Sequence, residues 1–352
     1  MYAKIDPVAH GAPDFAELER LGFSPNDVLD FSANINPFGP SPQVREALDG
    51  LLLERYPDPE SWALRRALAT HLGLETDRIM VGNGCAELIQ LAALAFLRPG
   101  DHALVLGPTF GEYARAARLA GADVHQWNAT PTDGFAFDPS AIAAELAEHY
   151  RVVFVCNPNN PTGQCIPEGL LTDWAAAHPQ TLFVVDEAYL SFTPGVRSAV
   201  ECKAANILVL RSMTKDYALA GLRLGYALGP VNLIAALVQV RPPWNVNALA
   251  QAAGLAALQD HKHLHETLAQ VRREKGLLIR GLETMGCAPV PSQTHYFLLP
   301  VNDGAAFRTA LLPYGILVRD CASFHLPQYI RISPRRPAEN LCLLEIIQDL
   351  LP

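Results

Sequence analysis

Lys215 is the residue of this chain whose neighbours most clearly suggest chemistry. Two hydroxyl side chains, Ser212 and Thr214, come just before it, and Arg223 follows eight residues later. An ordinary lysine is protonated at neutral pH and is no nucleophile, so a reactive lysine needs its surroundings to activate it. Hydroxyl and guanidinium groups are suited to holding a phosphate. The segment therefore predicts a lysine that forms a Schiff base with an aldehyde beside a bound phosphate, although an isolated lysine would more often lie on the surface.

A second segment, residues 82–88, reads Gly-Asn-Gly-Cys-Ala-Glu-Leu and separates an apolar run from an amphipathic one. Small residues at the start of a helix let backbone N–H groups approach a phosphate, at the positive end of the helix dipole. Gly84, Cys85 and Ala86 are placed for this contact. The segment lacks the spacing of a dinucleotide-binding fingerprint or a Walker loop, and by itself it is also compatible with a plain strand-to-helix turn.

Two further segments also follow apolar runs. Asn160 lies in a loop stiffened by prolines, and Asp186 and Tyr189 come at the end of a strongly apolar stretch. In α/β proteins such loops lie at the carboxyl edge of the sheet, where ligands bind. Asp186 suits a protonated ring nitrogen, while Asn160 and Tyr189 can reach a ring oxygen. Together with Lys215 and the glycine-rich turn, these residues predict pyridoxal 5′-phosphate (PLP) as the cofactor, because they match its ring nitrogen, ring oxygen, aldehyde and phosphate.

Short apolar runs alternate with amphipathic ones along most of the chain, which predicts an α/β fold with a mostly parallel sheet flanked by helices. The predicted strands are residues 79–81, 103–106, 152–156, 182–185, 207–211 and 225–228. The predicted helices between them include residues 86–96, 110–120 and 138–149.

A smaller α+β region is predicted at the C-terminal end of the chain. A single long helix from Asn247 to about Met285 would lead into it. Its predicted strands are residues 294–299, 316–319 and 329–333, followed by a closing helix at 339–351. The predicted division is an N-terminal arm or small-domain segment at 1–40, a large PLP-binding domain at 41–245, and an interdomain helix with the small domain at 246–352. The arm is expected to wrap over the site or over a partner subunit.

Charge and composition narrow the functional classes. The formal net charge of -9 argues against a general nucleic-acid binder, which usually presents a basic face. No apolar run reaches membrane-spanning length and residues 1–7 lack a signal-peptide pattern, so a cytoplasmic protein is expected. The seven cysteines are scattered without a Cys-x-x-Cys pair, which predicts free thiols. His261, His263 and His265 would point to different faces of one helix, so no metal site is predicted.

The whole chain resembles the fold-type I PLP-dependent enzymes, which form the aspartate aminotransferase superfamily. Within that superfamily it resembles the histidinol-phosphate aminotransferase branch, and it is most similar to the L-threonine-O-3-phosphate decarboxylases of cobalamin biosynthesis. The segments that carry the finer resemblance are residues 29–39, 54–58, 243–250, 316–324 and 329–332. The resemblance implies the PLP-dependent transferase fold of type I.

The resemblance also implies a role for each matching residue around the cofactor. Lys215 would be the Schiff-base lysine and Asp186 the partner of the ring nitrogen. Tyr113 would stack on the ring face, with Phe110 beside it. The ring oxygen would be held by Asn160 and Tyr189, and the cofactor phosphate by Gly84, Cys85, Ala86, Ser212, Arg223 and Tyr56. Tyr56 would come from the neighbouring subunit, so a homodimer with shared active sites is implied.

For the substrate, the resemblance implies contacts with a small phosphorylated amino acid. The implied substrate residues are His10, Gly11, Asn34, Asn160, Arg319 and Arg331. A planar guanidinium suits either a carboxylate or a phosphate. Arg331 stands between apolar residues of a predicted strand, where an unpaired charge would be costly. The decarboxylases usually carry His-Gly-Gly-Asn where this chain has His-Gly-Ala-Pro at 10–13, and the proline removes a backbone donor from the expected phosphate contact.

The activity implied by the resemblance is decarboxylation of L-threonine O-3-phosphate to (R)-1-amino-2-propanol O-2-phosphate, with Lys215 returning a proton to Cα. The alternatives are an aminotransferase acting on histidinol phosphate or a related amino acid, and a decarboxylase of another phosphorylated amino acid such as phosphoserine. The residues around PLP would be the same in each case, because the reactions differ in which bond to Cα stands perpendicular to the ring. A non-catalytic binding protein is disfavoured because Lys215 and Asp186 are both present.

Overall fold

A computed structural model describes Val8 and residues 11–350 of the chain. These residues form twelve strands and twelve α-helices. The strands are β1 (Leu29–Asp30), β2 (Ile79–Gly82), β3 (His102–Gly107), β4 (Asp123–Asn128), β5 (Val152–Cys156), β6 (Leu182–Asp186), β7 (Ile207–Ser212), β8 (Gly225–Leu228), β9 (Phe297–Pro300), β10 (Ile316–Leu317), β11 (Arg319–Asp320) and β12 (Tyr329–Ile332). The helices are α1 (Phe15–Arg20), α2 (Pro42–Leu48), α3 (Trp62–Leu72), α4 (Gly84–Phe96), α5 (Glu112–Leu119), α6 (Pro139–Leu146), α7 (Leu170–Ala177), α8 (Val231–Val240), α9 (Ala248–Gln259), α10 (His261–Thr284), α11 (Gly304–Leu311) and α12 (Pro337–Leu350).

The largest sheet has seven strands in the order β2-β8-β7-β6-β5-β3-β4. Only β8 runs antiparallel to its neighbours in this sheet, and the remaining adjacent pairs are parallel. Helices cover both faces, because successive residues of each strand point to opposite sides and both sides are apolar. In β5, Val153 and Val155 join the core on one face while Val152 and Phe154 join the core on the other. The predicted α/β fold is confirmed, and each of its six predicted strands is present within one residue of its expected bounds.

Strand β4 was not predicted, because its sequence gives little indication of burial. It lies at the edge of the sheet beside β3, and most of its side chains are exposed. A strand at the edge of a sheet pairs on one side only, so it needs neither a continuous apolar run nor an alternation of apolar and polar residues. This strand is polar along most of its length.

The prediction of one helix from Asn247 to about Met285 is wrong. The chain forms α9 and α10 with a break at Asp260. The Asp260 carboxylate accepts a hydrogen bond from the backbone N–H of His263 at 3.1 Å and from the Ser41 hydroxyl at 2.5 Å. Asp260 therefore caps a new helix, which is the role that aspartate prefers over a helix interior.

The C-terminal region contains two small sheets. Strands β11, β12 and β9 form an antiparallel sheet, and β10 pairs with β1 in parallel. The strand predicted at 316–319 is therefore split, because the chain leaves β1 after Leu317 and joins β12 at Arg319. The described part of the N-terminal arm packs here, since Leu18 and Val28 share a core with Leu312 and Leu317. The division of the chain at residues 40 and 245 stays a prediction.

The remaining expectations concern membranes and metals. None of the helices in the described part of the chain is both long enough and apolar enough to cross a membrane. Among the same residues, no group of three or more His, Cys, Asp or Glu side chains could hold a metal ion. His261, His263 and His265 all lie on α10, as predicted for one helix.

Candidate active site

A cavity of about 320 Å³ lies at the carboxyl edge of the large sheet, where β5, β6 and β7 end. It also reaches the C-terminal sheet through Arg319 and Arg331. The cavity brings together thirteen of the residues selected from the sequence: Gly11, Asn34, Cys85, Ala86, Tyr113, Asn160, Asp186, Tyr189, Ser212, Lys215, Arg223, Arg319 and Arg331. The carboxyl edge of a parallel sheet is where α/β proteins place their ligands.

Lys215 lies three residues beyond β7, and its side chain lines the cavity. Its backbone carbonyl accepts a hydrogen bond from the backbone N–H of Asn36 at 2.9 Å, which fastens the loop to the N-terminal segment. Burial, with the positive charges of Arg331 and Arg223, lowers the pKa of Lys215 to about 8. A substantial fraction of this amine is therefore neutral and nucleophilic near neutral pH.

Asp186 ends β6 and is 4% exposed. Its carboxylate accepts hydrogen bonds from the Tyr113 hydroxyl at 2.9 Å and from the backbone N–H of Ala188 at 3.0 Å. Burial raises the pKa of Asp186 to about 6, while the bond from Tyr113 acts in the opposite direction. A buried carboxylate held in this way favours a cationic partner, such as a protonated ring nitrogen.

Tyr113 lines the cavity and is held in place by two neighbours. It is 1% exposed, its hydroxyl is bonded to Asp186, and its ring stacks on Phe154 with centroids 5.7 Å apart. Phe110 lies edge-on to Tyr113 at 5.7 Å and also lines the cavity. Tyr113 thus supports Asp186, and its stacking on the cofactor ring stays a prediction.

Asn160, Tyr189 and Asn34 line one wall of the cavity. The Asn160 side-chain oxygen accepts a hydrogen bond from Nη1 of Arg331, which fixes the orientation of its amide. Burial raises the pKa of Tyr189, while Arg331 and the nearby side chain of Asn34 act in the opposite direction. Both amide atoms of Asn34 lack a hydrogen-bond partner within the described structure. Buried polar atoms without partners are costly, so these atoms favour a polar ligand.

The predicted phosphate cradle is formed by the start of α4, the end of β7 and Arg223. Gly84 has a φ of +74°, and a Cβ atom built there would lie 2.7 Å from Nη2 of Arg223. Only glycine combines this backbone conformation with so close a guanidinium. Ser212 and Thr214 share a hydrogen bond of 2.7 Å between their hydroxyl groups and both line the cavity. Backbone N–H groups at a helix start, two hydroxyls and a guanidinium form a suitable anion site.

Arg319 and Arg331 face each other in register on the antiparallel strands β11 and β12. Arg319 is 9% exposed and Arg331 is 4% exposed. Burial and the charge of Arg331 lower the pKa of Arg319. Like charges directly opposite each other destabilise a sheet unless an anion compensates them. The pair therefore identifies an anion-binding face opposite the lysine.

Each of these guanidinium groups is held by its own neighbours. Nη2 of Arg319 donates to the Ser323 hydroxyl at 2.6 Å, and its guanidinium carbon lies 5.5 Å from the centre of the Phe324 ring. Nη2 of Arg331 donates to the backbone carbonyl of Ser32 at 2.5 Å, while its Nε has no partner in the described part of the chain. Phe324 and Ser32 also line the cavity and were not selected from the sequence. Phe324 stands five residues after Arg319, which was the one clue available.

Of the predicted contacts, His10 lies outside the described residues, and Gly84 and Tyr56 do not line the cavity. Gly11 lines it and is closely packed, since a Cβ built there would lie 2.6 Å from the carbonyl oxygen of Ser32 and 3.1 Å from Nη2 of Arg331. Tyr56 is 81% exposed and stacks on Trp244 at 4.8 Å, so within its own chain it does not line the cavity. A contact from Tyr56 to PLP would have to reach a second copy of the chain.

The arrangement fits PLP at each of its polar groups. A lysine with a lowered pKa suits the aldehyde, a buried aspartate suits the ring nitrogen, and the helix start with Arg223 suits the phosphate. The unpaired amide of Asn34 and the hydroxyl of Tyr189 remain for the ring oxygen or the substrate.

Comparison with known proteins decides the family. The sequence model for aminotransferase class I and II matches residues 26–347. This chain belongs to the class I and II aminotransferase family. Family members depend on PLP, and PLP is the cofactor of this enzyme.

Among curated relatives, a histidinol-phosphate aminotransferase of Symbiobacterium thermophilum is 36% identical over 99% of this chain and 97% of its own length. A histidinol-phosphate aminotransferase of Sinorhizobium meliloti, solved in complex with pyridoxal-5′-phosphate, superposes with a TM-score of 0.87 at 27% identity, covering 97% of this chain and 96% of that one. The L-threonine-O-3-phosphate decarboxylase of Porphyromonas gingivalis superposes with a TM-score of 0.80 at 26% identity, covering 91% and 98%.

Proposed function

We propose that the protein is a PLP-dependent aminotransferase whose amino substrate carries a phosphate, with L-histidinol phosphate as the first candidate. The observation that carries this proposal is the pair of buried guanidinium groups, Arg319 and Arg331, which face each other in register across the cavity from Lys215. Curated relatives named for this activity match nearly the whole chain at 33–37% identity. The decarboxylase resemblance, which was the first reading of the sequence, therefore becomes the second candidate.

In the proposed mechanism, PLP held at this site would supply an electron sink for the Cα atom of the amino substrate. Lys215 would hold the aldehyde of the cofactor and, as a free amine, would remove the proton from Cα and return it. Its pKa of about 8 suits both steps near neutral pH. Asp186 keeps the ring nitrogen protonated, and Tyr113 keeps Asp186 ionised by donating to it.

Substrate orientation falls to the two arginines. Arg331 is fixed by Asn160 and Ser32, so its charge lies close to the residues proposed for the ring oxygen. Arg319 is turned away from Asn160 toward Ser323 and Phe324. The pair therefore offers an inner and an outer anion position. The amino substrate would place its phosphate at the outer position, and the keto acid would place its carboxylate at the inner one. Each compound would then hold its own Cα beside Lys215.

The second candidate is decarboxylation of L-threonine O-3-phosphate. The observation that favours it is the packing of Gly11 against Ser32 and Arg331, because Gly11 belongs to the segment that carries the decarboxylase resemblance and here lines the cavity. A substrate with both a carboxylate and a phosphate would also use both arginines at once. Decarboxylation requires the Cα–carboxylate bond to stand perpendicular to the ring of PLP, and a keto acid is then unnecessary.

We also propose a homodimer in which Tyr56 reaches the partner's cofactor phosphate. Tyr56 and Trp244 form an exposed stacked pair, with Trp244 46% exposed, and Leu53 nearby in sequence is 75% exposed. Exposed apolar groups of this size commonly mark an interface.

The first test gives purified, PLP-loaded protein L-histidinol phosphate with 2-oxoglutarate, and in parallel L-threonine phosphate without a keto acid. Mass spectrometry follows glutamate in the first reaction and CO2 in the second. We expect repeated turnover to glutamate only with histidinol phosphate.

Arg319→Gln should raise KM for histidinol phosphate by roughly 10–100-fold, the effect of one lost charged hydrogen bond, whereas Arg118→Gln on the exposed surface of α5 should not.

Repeated CO2 release from threonine phosphate would overturn the first candidate and establish the second. Turnover of neither compound would reject both substrates. In that case the absorbance spectra of Arg319→Gln and of the parent protein, each loaded with PLP, are compared. Equal spectra would show that the cofactor site is intact and that only the substrate assignment failed.

A further inference from the structure

His295 lies immediately before β9 and is fully buried behind the cavity wall. Its ring stacks on Phe192 with centroids 3.6 Å apart and an angle of 25° between the planes. Tyr296 and Tyr189 lie around it, with centroids at 5.1 and 5.9 Å. A side chain with two ring nitrogens therefore occupies a site whose other contacts are mainly aromatic, directly behind the tyrosine proposed for the cofactor's ring oxygen.

The surroundings of His295 keep its imidazole neutral. Burial lowers its pKa well below the ordinary value, and the charges of Lys275 on α10, Arg331 on β12 and Lys215 act in the same direction. Lys275 is itself held beside this segment, because Nζ donates to the carbonyls of Ser292 and Thr294 at 2.6 Å each. The neighbour that favours the protonated ring is the backbone of Asn34. A neutral imidazole keeps one donor and one acceptor nitrogen.

The polar atoms of His295 are poorly satisfied within the described part of the chain. Nδ1 lies 3.3 Å from the hydroxyl of Thr294, and Nε2 has no full hydrogen-bond partner there. A phenylalanine would stack on Phe192 without leaving a buried polar atom. Core packing alone therefore does not explain a histidine at this position, and its buried ring nitrogens indicate a role in the site.

Asn34 connects this histidine to the cavity. Its backbone lies near the imidazole and its side-chain amide lies near the Tyr189 hydroxyl. Neither approach is a full hydrogen bond in the described structure, and the direct contact is between the rings of His295 and Tyr189, with centroids 5.9 Å apart. Asn34 and Tyr189 both line the cavity, whereas His295 does not. The three residues thus form a path from a buried imidazole, through one amide, to the phenol that faces the cofactor.

We propose that His295 is a positioning residue that holds Asn34 and Tyr189 in the orientation in which they bind the ring oxygen of PLP. It touches neither the cofactor nor the substrate and acts through the backbone of Asn34 and the ring of Tyr189. The inference rests on the proposed role of Tyr189 at the ring oxygen, and it is independent of which substrate the enzyme uses.

The consequence concerns the protonation of the linkage between Lys215 and PLP. A well-aligned hydrogen bond from Tyr189 stabilises negative charge on the ring oxygen, and the oxygen then attracts the proton on the linkage nitrogen less strongly. When the donor is misaligned, the oxygen attracts that proton more strongly, and the pKa of the linkage nitrogen rises. Loss of His295 should therefore shift the linkage titration toward higher pH.

The test is a pH titration of the absorbance of the PLP-loaded protein, without any substrate. The variants are His295→Phe, His295→Gln and Tyr189→Phe, and the matched control is His265→Gln, an exposed histidine on α10. We expect His295→Phe to raise the titration midpoint by at least about half a pH unit, a threefold change in the ionisation constant. His295→Gln, which can still donate to Asn34, should lie closer to the parent protein, and His265→Gln should superpose on it.

A His295→Phe protein with an unchanged melting temperature and an unchanged midpoint overturns the proposal, provided that Tyr189→Phe shifts the midpoint. If Tyr189→Phe also leaves the midpoint unchanged, the role assigned to Tyr189 has failed, and the proposal for His295 fails with it. Should His295→Phe not fold, the comparison of His295→Gln with His295→Met decides in the same way, because only glutamine keeps a donor.

Discussion

Replacing Asp186 with asparagine should stabilise the protein in the absence of PLP, although it removes the partner of the ring nitrogen. Asp186 is 4% exposed, and burial raises its pKa from 3.8 to about 6. Each pKa unit corresponds to about 1.36 kcal/mol, so ionised Asp186 disfavours the folded state by up to roughly 3 kcal/mol at neutral pH. This is the strain that a protonated ring nitrogen relieves.

The sign of the pH dependence follows from proton binding. In the unfolded chain the carboxyl loses its proton near pH 3.8, and in the folded protein near pH 6. Between these values the folded state binds more protons, so the stability of the parent protein falls as pH rises through this window and then levels off. Asparagine has no proton to lose, and the stability gap between variant and parent should therefore open from about pH 4 to about pH 6.

The size of the gap is reduced by the hydrogen bonds of Asp186. Asparagine can accept from Ala188, but it must present its NH2 group to the Tyr113 hydroxyl, which now has to accept instead of donate. A rearranged hydrogen bond costs about 1 kcal/mol. We therefore expect Asp186→Asn to gain about 1–2 kcal/mol in the free energy of unfolding above pH 6.

The assay is urea unfolding of PLP-free protein at pH 4.5, 6 and 7.5, with Asp173→Asn in α7 as an exposed control. With saturating PLP the order should reverse, because PLP binds the parent protein more tightly and stabilises it by mass action. A gap that does not grow between pH 4.5 and 6, or a variant less stable than the parent at pH 7.5, would refute the reasoning.

Two further predictions concern the phosphate cradle and a buried ion pair. Gly84→Ala should weaken PLP binding at least tenfold, because its Cβ would meet Arg223; equilibrium dialysis measures this, and Gly134→Ala, which also has a positive φ but open space around it, should leave binding unchanged. Arg211→Leu should lower the free energy of unfolding by about 3–5 kcal/mol, because it leaves the buried Glu187 carboxylate without its partner at 2.7 Å. Adding Glu187→Gln should restore part of that loss in urea unfolding, and a loss below about 1 kcal/mol in the single variant would contradict the assignment.

Local sequence sufficed for the cofactor side of the site. Asp186 ends a strand, Lys215 and Asn160 lie in the loops that follow two others, and the carboxyl ends of parallel strands meet at one edge of a sheet. The order of these segments along the chain therefore predicted their convergence without any knowledge of distant contacts. The same local patterns placed the six main strands, because both faces of those strands are buried and their residues form continuous apolar runs.

Features that depend on a single side chain's orientation were not predictable in this way. Spacing alone cannot show how Tyr113 is held at the cavity, because its partners are distant in the sequence. Its hydroxyl is bonded to Asp186 and its ring stacks on Phe154. The break at Asp260 likewise depends on Ser41, which is 219 residues away in the sequence.

The sequence by itself determined the fold class through its periodicity. Its motifs at strand ends predicted the cofactor, the residues expected around it and the family that the chain resembles. Tertiary structure alone decided the substrate face. Arg331 meets Asn160 across 171 residues of sequence, and it meets Arg319 through the register of β11 with β12. His295 is placed behind Tyr189 by the packing of β9 against the loop that follows β6. Such long-range contacts are set by how the sheets dock, and no local pattern in the chain encodes them.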